Sequence, residues 1–92
     1  MARVLEITQK RAAERLVRIE AIKVFVVDYA LSLGVDELSP TDLDEVAAYT
    51  YRREALVGLM AKATPFSERY NEISKEIVDC EAGIGCVAPW LI

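Results

Sequence analysis

Apolar residues recur every three or four positions between Thr8 and Leu33, in a run that contains neither glycine nor proline. This spacing is that of one face of an α-helix. A helix of this length spans about 39 Å, which is more than a compact domain of this size covers. The pattern therefore predicts a long first helix, part of whose surface something else must cover. The recurring residues are Ala12, Leu16, Ile19, Ile22, Val26, Tyr29, Ala30 and Leu33.

The two ends of this helix carry different signals. Thr8 is an eligible N-cap, but Lys10 and Arg11 would then oppose the helix dipole, which favours an earlier start. The preceding residues, 3–7, could extend the helix or form a short strand. At the other end, Gly34 is the expected left-handed C-cap.

A second helix should begin at the sequence SPTD, residues 39–42. Serine accepts hydrogen bonds from free backbone amides, proline at the first helical position loses none, and the acidic residues complement the positive helix end. The helix should run to about Lys62, before Pro65 stops it. Its second half, residues 55–61, is apolar apart from Gly58. We therefore expect other elements to surround it, with Gly58 at a close helix crossing.

A third helix is predicted from the capping pair Thr64 and Pro65 to about Gly83. Its apolar residues repeat at intervals of four and three over two heptads, which is too short to identify a coiled coil. We interpret them as the core-facing stripe of a helical bundle. These residues are Phe66, Tyr70, Ile73, Ile77 and Cys80.

The last nine residues of the chain are apolar and uncharged, and their glycine and Pro89 disfavour a helix. Ordering such a tail requires a ready-made groove, on its own helices, on a second copy or on a different protein. We therefore divide the chain into a helical bundle, residues 1–83, and an extended apolar tail, residues 84–92. The tail residues predicted to bind a partner are Val87, Trp90, Leu91 and Ile92.

Composition favours association between chains. Hydrophobic residues make up 53% of the sequence, somewhat above the share that is usual in a soluble domain. A chain of this size buries a modest core, so part of its apolar surface should lie against another molecule, and a homo-oligomer is expected. An efficiently packed, alanine-rich monomer is the alternative.

Charge and hydropathy indicate where the protein acts. The net charge of −4 is opposite to the basic surface that nucleic-acid binding requires. The start of the chain does not resemble a secretory signal, and Asp28 follows the most apolar stretch, residues 24–27, so no membrane span is expected. We expect a cytoplasmic protein whose Cys80 and Cys86 are reduced, although a disulfide between them is geometrically possible.

No residue pattern indicates catalysis. The sequence contains no histidine, and its two cysteines cannot complete a zinc or iron–sulfur site without another protomer. Glu68, Glu72 and Glu76 would lie on one face of the third helix, where carboxylates of like charge are typical of a solvated surface. We therefore expect no enzyme activity, cofactor or metal. An enzyme or cofactor site assembled between protomers is a further alternative.

The second helix contributes three further candidates for partner binding, Tyr49, Arg52 and Arg53, because tyrosine and arginine are favoured at protein interfaces. Packing between the helices of the bundle would explain the same residues. Arg11, Arg15 and Arg18 form a basic stripe on the first helix, which gives the alternative of a regulator that binds nucleic acid.

The sequence as a whole predicts an all-α fold, a three-helix antiparallel bundle with a long first helix and an extended apolar C-terminal tail. For function it predicts a small, non-catalytic oligomerisation or protein-interaction module, such as an assembly, adaptor or virion component.

Overall fold

A computed structural model describes residues 2–92, with side chains from Thr8 onward. It contains three α-helices, α1 (Ala2–Leu33), α2 (Pro40–Lys62) and α3 (Glu68–Val87), followed by one 3₁₀ turn, Pro89–Leu91. No strand occurs among these residues. The predicted all-α, three-helix bundle is therefore confirmed.

Helix α1 begins at Ala2, so the residues before Thr8 extend the helix and do not form a strand. It ends as predicted at Gly34, whose φ of 69° is the left-handed conformation. The Gly34 and Val35 amides donate to the carbonyl oxygens of Leu31 and Ala30, each at 3.2 Å. These two bonds form a Schellman motif, which satisfies the last carbonyls of the helix.

Helix α2 has the predicted bounds. The Ser39 hydroxyl oxygen accepts the Asp42 amide at 3.1 Å, and Pro40 opens the first turn. The helix ends at Lys62, three residues before Pro65. Local capping chemistry therefore determines both ends.

Helix α3 begins later than predicted. Its N-cap is Ser67, whose hydroxyl oxygen accepts the Tyr70 amide at 3.2 Å, and Thr64 lies in the preceding turn. Phe66 adopts a φ of 61° in that turn and is 85% exposed, so it does not belong to the predicted core stripe. Ile73, Ile77 and Cys80 are buried as expected, and Tyr70, the remaining predicted member of the stripe, is half-buried.

The predicted end of α3 near Gly83, and with it the extended start of the tail, is wrong. The helix continues through Gly83 and Gly85 to Val87. A helical glycine costs only about 1 kcal/mol, and Ile84, which is 3% exposed, gains more by burial in the core. The chain leaves helical geometry at Ala88, as the following proline requires.

The core consists of two clusters that share α2 and α3. One cluster also includes α1 and is built from Ile22, Val26, Val46, Ala47, Ile84 and Ala88. The other lies between α2 and α3 alone and is built from Leu56, Ile73, Ile77 and Cys80. Among the described side chains, those by which α1 joins the core lie in its second half, from Ile19 onward.

The close helix crossing lies at Gly83 and not at Gly58. A Cβ atom placed on Gly83 would lie 2.7 Å from Cζ of the Tyr49 ring, whereas nothing lies within 4 Å of the corresponding position on Gly58. The second half of α2 is also not surrounded, because only Leu56 is buried between residues 55 and 61. That apolar segment lies largely on the surface.

The first half of α1 projects from the bundle. Every residue from Thr8 to Arg18 is exposed. The radius of gyration is 15.5 Å, compared with about 12 Å for a compact chain of this length. The accessible surface is 6835 Å², about 1,500 Å² more than the roughly 5,400 Å² of a compact monomer of equal mass. The single chain therefore leaves an unusually large surface uncovered.

Candidate interaction surfaces

The C-terminal tail lies against its own chain. The Trp90 ring stacks on the Tyr29 ring of α1, with 6.1 Å between ring centroids. Val87, Trp90 and Leu91 are half-buried against the core cluster that includes α1. Ile92 is the exception among the predicted tail contacts, since its side chain is 68% exposed. In this fold most of the tail is therefore already in contact with helices of the same chain.

The three candidates on α2 face α3. The Tyr49 ring lies over Gly83, and Arg53 Nε donates to Glu81 Oε1 at 2.9 Å. Arg52 is more exposed, and its Nη2 lies 4.0 Å from Glu76 Oε1. Tyr49 and Arg53 therefore make interhelical contacts, which was the alternative explanation for these residues. Their role in binding a partner stays a prediction.

Two residues of the basic stripe bind α2. Arg18 holds Glu54 with two hydrogen bonds, Nε to Oε2 at 2.9 Å and Nη2 to Oε1 at 2.6 Å. These bonds and the charge of Glu54 raise the pKa of Arg18 above its ordinary value. The Arg15 guanidinium lies 5.5 Å from the centroid of the Tyr51 ring. Arg15 and Arg18 therefore both link α1 to α2.

Lys23 forms a second link between α1 and α2. Its Nζ lies 2.5 Å from Asp44 Oδ1 and 3.3 Å from Glu20 Oε1. The hydrogen bond to Asp44, more than that to Glu20, raises the pKa of Lys23. The described polar links between α1 and α2 thus run from Arg15 to Lys23.

The outer face of α1 is apolar as well as the inner one. Val17, Val24 and Leu31 lie seven residues apart, and they are 71%, 61% and 62% exposed. At about 100° per residue they share a direction roughly opposite to the buried residues Ile22 and Val26. We call Ala13, Val17, Glu20, Val24 and Leu31, with the half-buried Val27 at its edge beside α2, the outer stripe of α1. Sequence reasoning missed this surface, although the seven-residue interval was visible in the sequence.

A short row of aromatic rings adds to the apolar surface of α1. The Phe25 ring is 5.8 Å from the Tyr29 ring, which in turn stacks on Trp90. Phe25 itself is exposed. The second half of α1 is consequently apolar around most of its circumference, which is typical of a helix that other elements surround.

The described side chains offer few groups for chemistry. No group of three or more His, Cys, Asp or Glu side chains that could hold a metal ion occurs among them. Cys80 is a buried free thiol and Cys86 an exposed one. A cleft of about 190 Å³ lies between α1 and the start of α2 and is lined by apolar residues such as Val26, Leu38 and Leu43. This cleft is smaller than a usual ligand pocket of about 300 Å³ or more, and larger surface depressions, of about 340 to 570 Å³, lie elsewhere on the described helices.

Along the part of the chain that the structure describes, none of the helices combines the length and the apolar character that a bilayer crossing requires. Comparison with models of protein families gives no match, and comparisons with curated proteins and with solved structures give none either. The candidate surfaces are therefore interpreted from their own geometry.

Proposed function

We propose that this protein is a small, non-catalytic helical module that associates with itself and serves in assembly, as an adaptor, or as a virion component. The observation that carries the proposal is the accessible surface, which exceeds that of a compact monomer by about 1,500 Å². Each partner of a stable complex contributes about 800 Å² or more to the interface. The excess on one chain is therefore sufficient for an obligate interface.

Helix stability supports the same proposal. Isolated helices shorter than about 12 to 15 residues are marginal in water, because most helical stability comes from packing of an apolar face. Every residue from Thr8 to Arg18 is exposed, although Arg15 and Arg18 contact α2 through their guanidinium groups. Contact with another molecule would supply the packing that the segment lacks within its own chain.

The solution mass tests this proposal. Light scattering on a sizing column should give at least twice the chain mass of 10.3 kDa at micromolar concentration. A mass of one chain at all concentrations up to about 1 mM, with the helices intact by circular dichroism, would contradict it. Such a result would favour the alanine-rich monomer.

A cytoplasmic location belongs to the same proposal. It is supported by Cys80 and Cys86, which are both free thiols, since reducing compartments preserve free cysteines. Thiol titration of the denatured protein, prepared without reductant, should find both cysteines reactive. A bridged pair would argue for an oxidising compartment.

A further inference from the structure

We infer that the outer stripe of α1 is the surface on which a second copy of this chain binds, with the two α1 helices antiparallel and a two-fold axis near Val24. This inference rests on the proposed self-association and specifies its interface. Four observations carry it: the heptad spacing, the shape of the stripe, the distribution of charge and the uncovered area.

The spacing of the stripe is that of a helix-pairing seam. Val17, Val24 and Leu31 repeat at intervals of seven residues. Ala13 lies four residues before Val17, and Val27 lies three residues after Val24. Apolar residues at these two positions of a heptad form the contact line between paired helices. The stripe extends over about 27 Å of helix from Ala13 to Leu31. Glu20 is its only charged position, and its carboxylate lies 3.3 Å from Lys23 Nζ.

Shape favours the antiparallel arrangement. The small side chains of Ala13 and Ala21 leave a shallow groove beside Val17, and the charged residues Lys10, Glu14 and Arg18 complete its lining. When two copies pair with Val24 at the centre, Val17 and this groove lie opposite Leu31 of the other copy, whose longer side chain fills the space. A parallel pair would set Val17 against Val17 and leave the groove empty.

Charge favours the same arrangement. Lys10 and Arg11 lie at the beginning of α1, whereas Asp36 and Glu37 follow its end, and all four side chains are exposed. Antiparallel pairing sets the basic end of one copy opposite the acidic end of the other. Parallel pairing sets like charges together, which is unfavourable.

The arrangement also matches the uncovered area. A two-fold interface uses the same patch on both chains, so a surface excess of about 1,500 Å² on one chain is matched by an equal excess on the other. This excess is summed over the whole chain, and the total of about 3,000 Å² for two chains exceeds the roughly 2,000 Å² at which obligate dimer interfaces begin, so the stripe and the residues around it need to supply only part of it. The pair also closes on itself and leaves no outer stripe free.

The first test compares two substitutions of equal chemistry. Val24→Glu lies in the stripe, and Val78→Glu lies on α3 outside it; the native valines are 61% and 60% exposed, so neither change disturbs the protomer core. We expect Val24→Glu to weaken dimerisation about 100-fold or more, because each dimer carries the change twice. Val78→Glu should leave the mass unchanged. Sedimentation velocity over a concentration series measures both.

The outcomes distinguish a failure of the proposed self-association from a failure of the proposed interface. A wild-type protein that is monomeric contradicts the proposed function and this interface together. A wild-type oligomer that Val24→Glu leaves intact contradicts this interface alone, and the proposed self-association stands. Loss of the oligomer in both variants would also overturn the assignment, because the effect would not be specific to the stripe.

Cross-linking tests the orientation and does not depend on the folding of a charged variant. In a Cys86→Ser background, Val17→Cys and Leu31→Cys are oxidised separately and as a mixture. Antiparallel pairing predicts a disulfide-linked heterodimer in the mixture and none with Val17→Cys alone. Homodimers of Val17→Cys would show parallel pairing, and the absence of cross-links in every sample would show a different surface.

Discussion

Gly58 and Gly83, two of the three glycines inside the described helices, provide a matched pair of alanine substitutions. Alanine is favoured over glycine in a helix by about 1 kcal/mol, and this term is common to both positions. At Gly58 the new methyl group meets nothing within 4 Å. At Gly83 it would lie 2.7 to 2.9 Å from three carbon atoms of the Tyr49 ring. The two variants therefore differ in one contact only.

The expected free energies follow from that contact. Gly58→Ala should stabilise the protein by about 1 kcal/mol, which raises the melting temperature by about 4 to 8 °C. Overpacking a well-filled site costs about 1 to 3 kcal/mol. Gly83→Ala should therefore be less stable than Gly58→Ala by this amount, and equal to or less stable than the wild type. Since the helix-propensity term cancels, the difference measures the clash with Tyr49.

Urea unfolding followed by far-UV circular dichroism measures both variants, at one fixed protein concentration because association contributes to stability. In a Tyr49→Leu background the ring is absent, and Gly83→Ala should become as stabilising as Gly58→Ala. If Gly83→Ala already stabilises the wild-type background as much as Gly58→Ala does, the Tyr49 ring does not lie over Gly83. The pairing of α2 with α3 would then be different.

Three further predictions concern the tail, the turn and pH. Trp90→Ala should destabilise the protein by about 2 kcal/mol, roughly half the cost for a fully buried tryptophan, because the half-buried ring packs on Tyr29. Urea unfolding measures the change, and an unchanged midpoint would show that the tail does not pack on α1. Phe66→Asn should stabilise by about 1 kcal/mol, since asparagine tolerates the left-handed conformation at φ 61° and the exposed ring loses little; a lower melting temperature would contradict this. The raised pKa of Lys23 means that its link to Asp44 contributes fully below the ordinary lysine pKa of about 10.4 and is lost as the pH rises through the raised value. The difference in melting temperature between wild type and Asp44→Asn should therefore be constant from about pH 6 to 9 and shrink above about pH 10.4. If the difference shrinks at neutral pH instead, the ionisation of Lys23 is not its cause.

Local signals in the sequence were sufficient for the end of α1 and for both ends of α2. The caps Gly34 and Ser39 act through their own backbone conformation or hydroxyl group, so their effect can be read without the tertiary structure. The end of α3 could not be read in this way. The pair of glycines near it opposes a helix locally, and the burial of Ile84 and Ala88, which depends on the approach of α1 and α2, outweighs that local preference.

The candidate surfaces required the fold. Tyr49 and Arg53 are residue types that suit both interfaces and helix packing, and only the position of α3 shows that Gly83 and Glu81 occupy them. The outer stripe of α1 was masked by the inner apolar pattern of the same helix. Because most of α1 is apolar on two faces, the stripe becomes distinct only when burial separates Val24 from Val26.

Amide hydrogen exchange of the segment from Thr8 to Arg18 tests most directly whether a second copy covers the projecting half of α1. In the single chain every residue of this segment is exposed, so its amides should exchange with little protection. We predict protection that increases with protein concentration and that Val24→Glu abolishes, while buried amides of α3 stay protected. Exchange of this segment at the rate of an unfolded peptide, unchanged over a wide range of concentrations, would contradict that coverage.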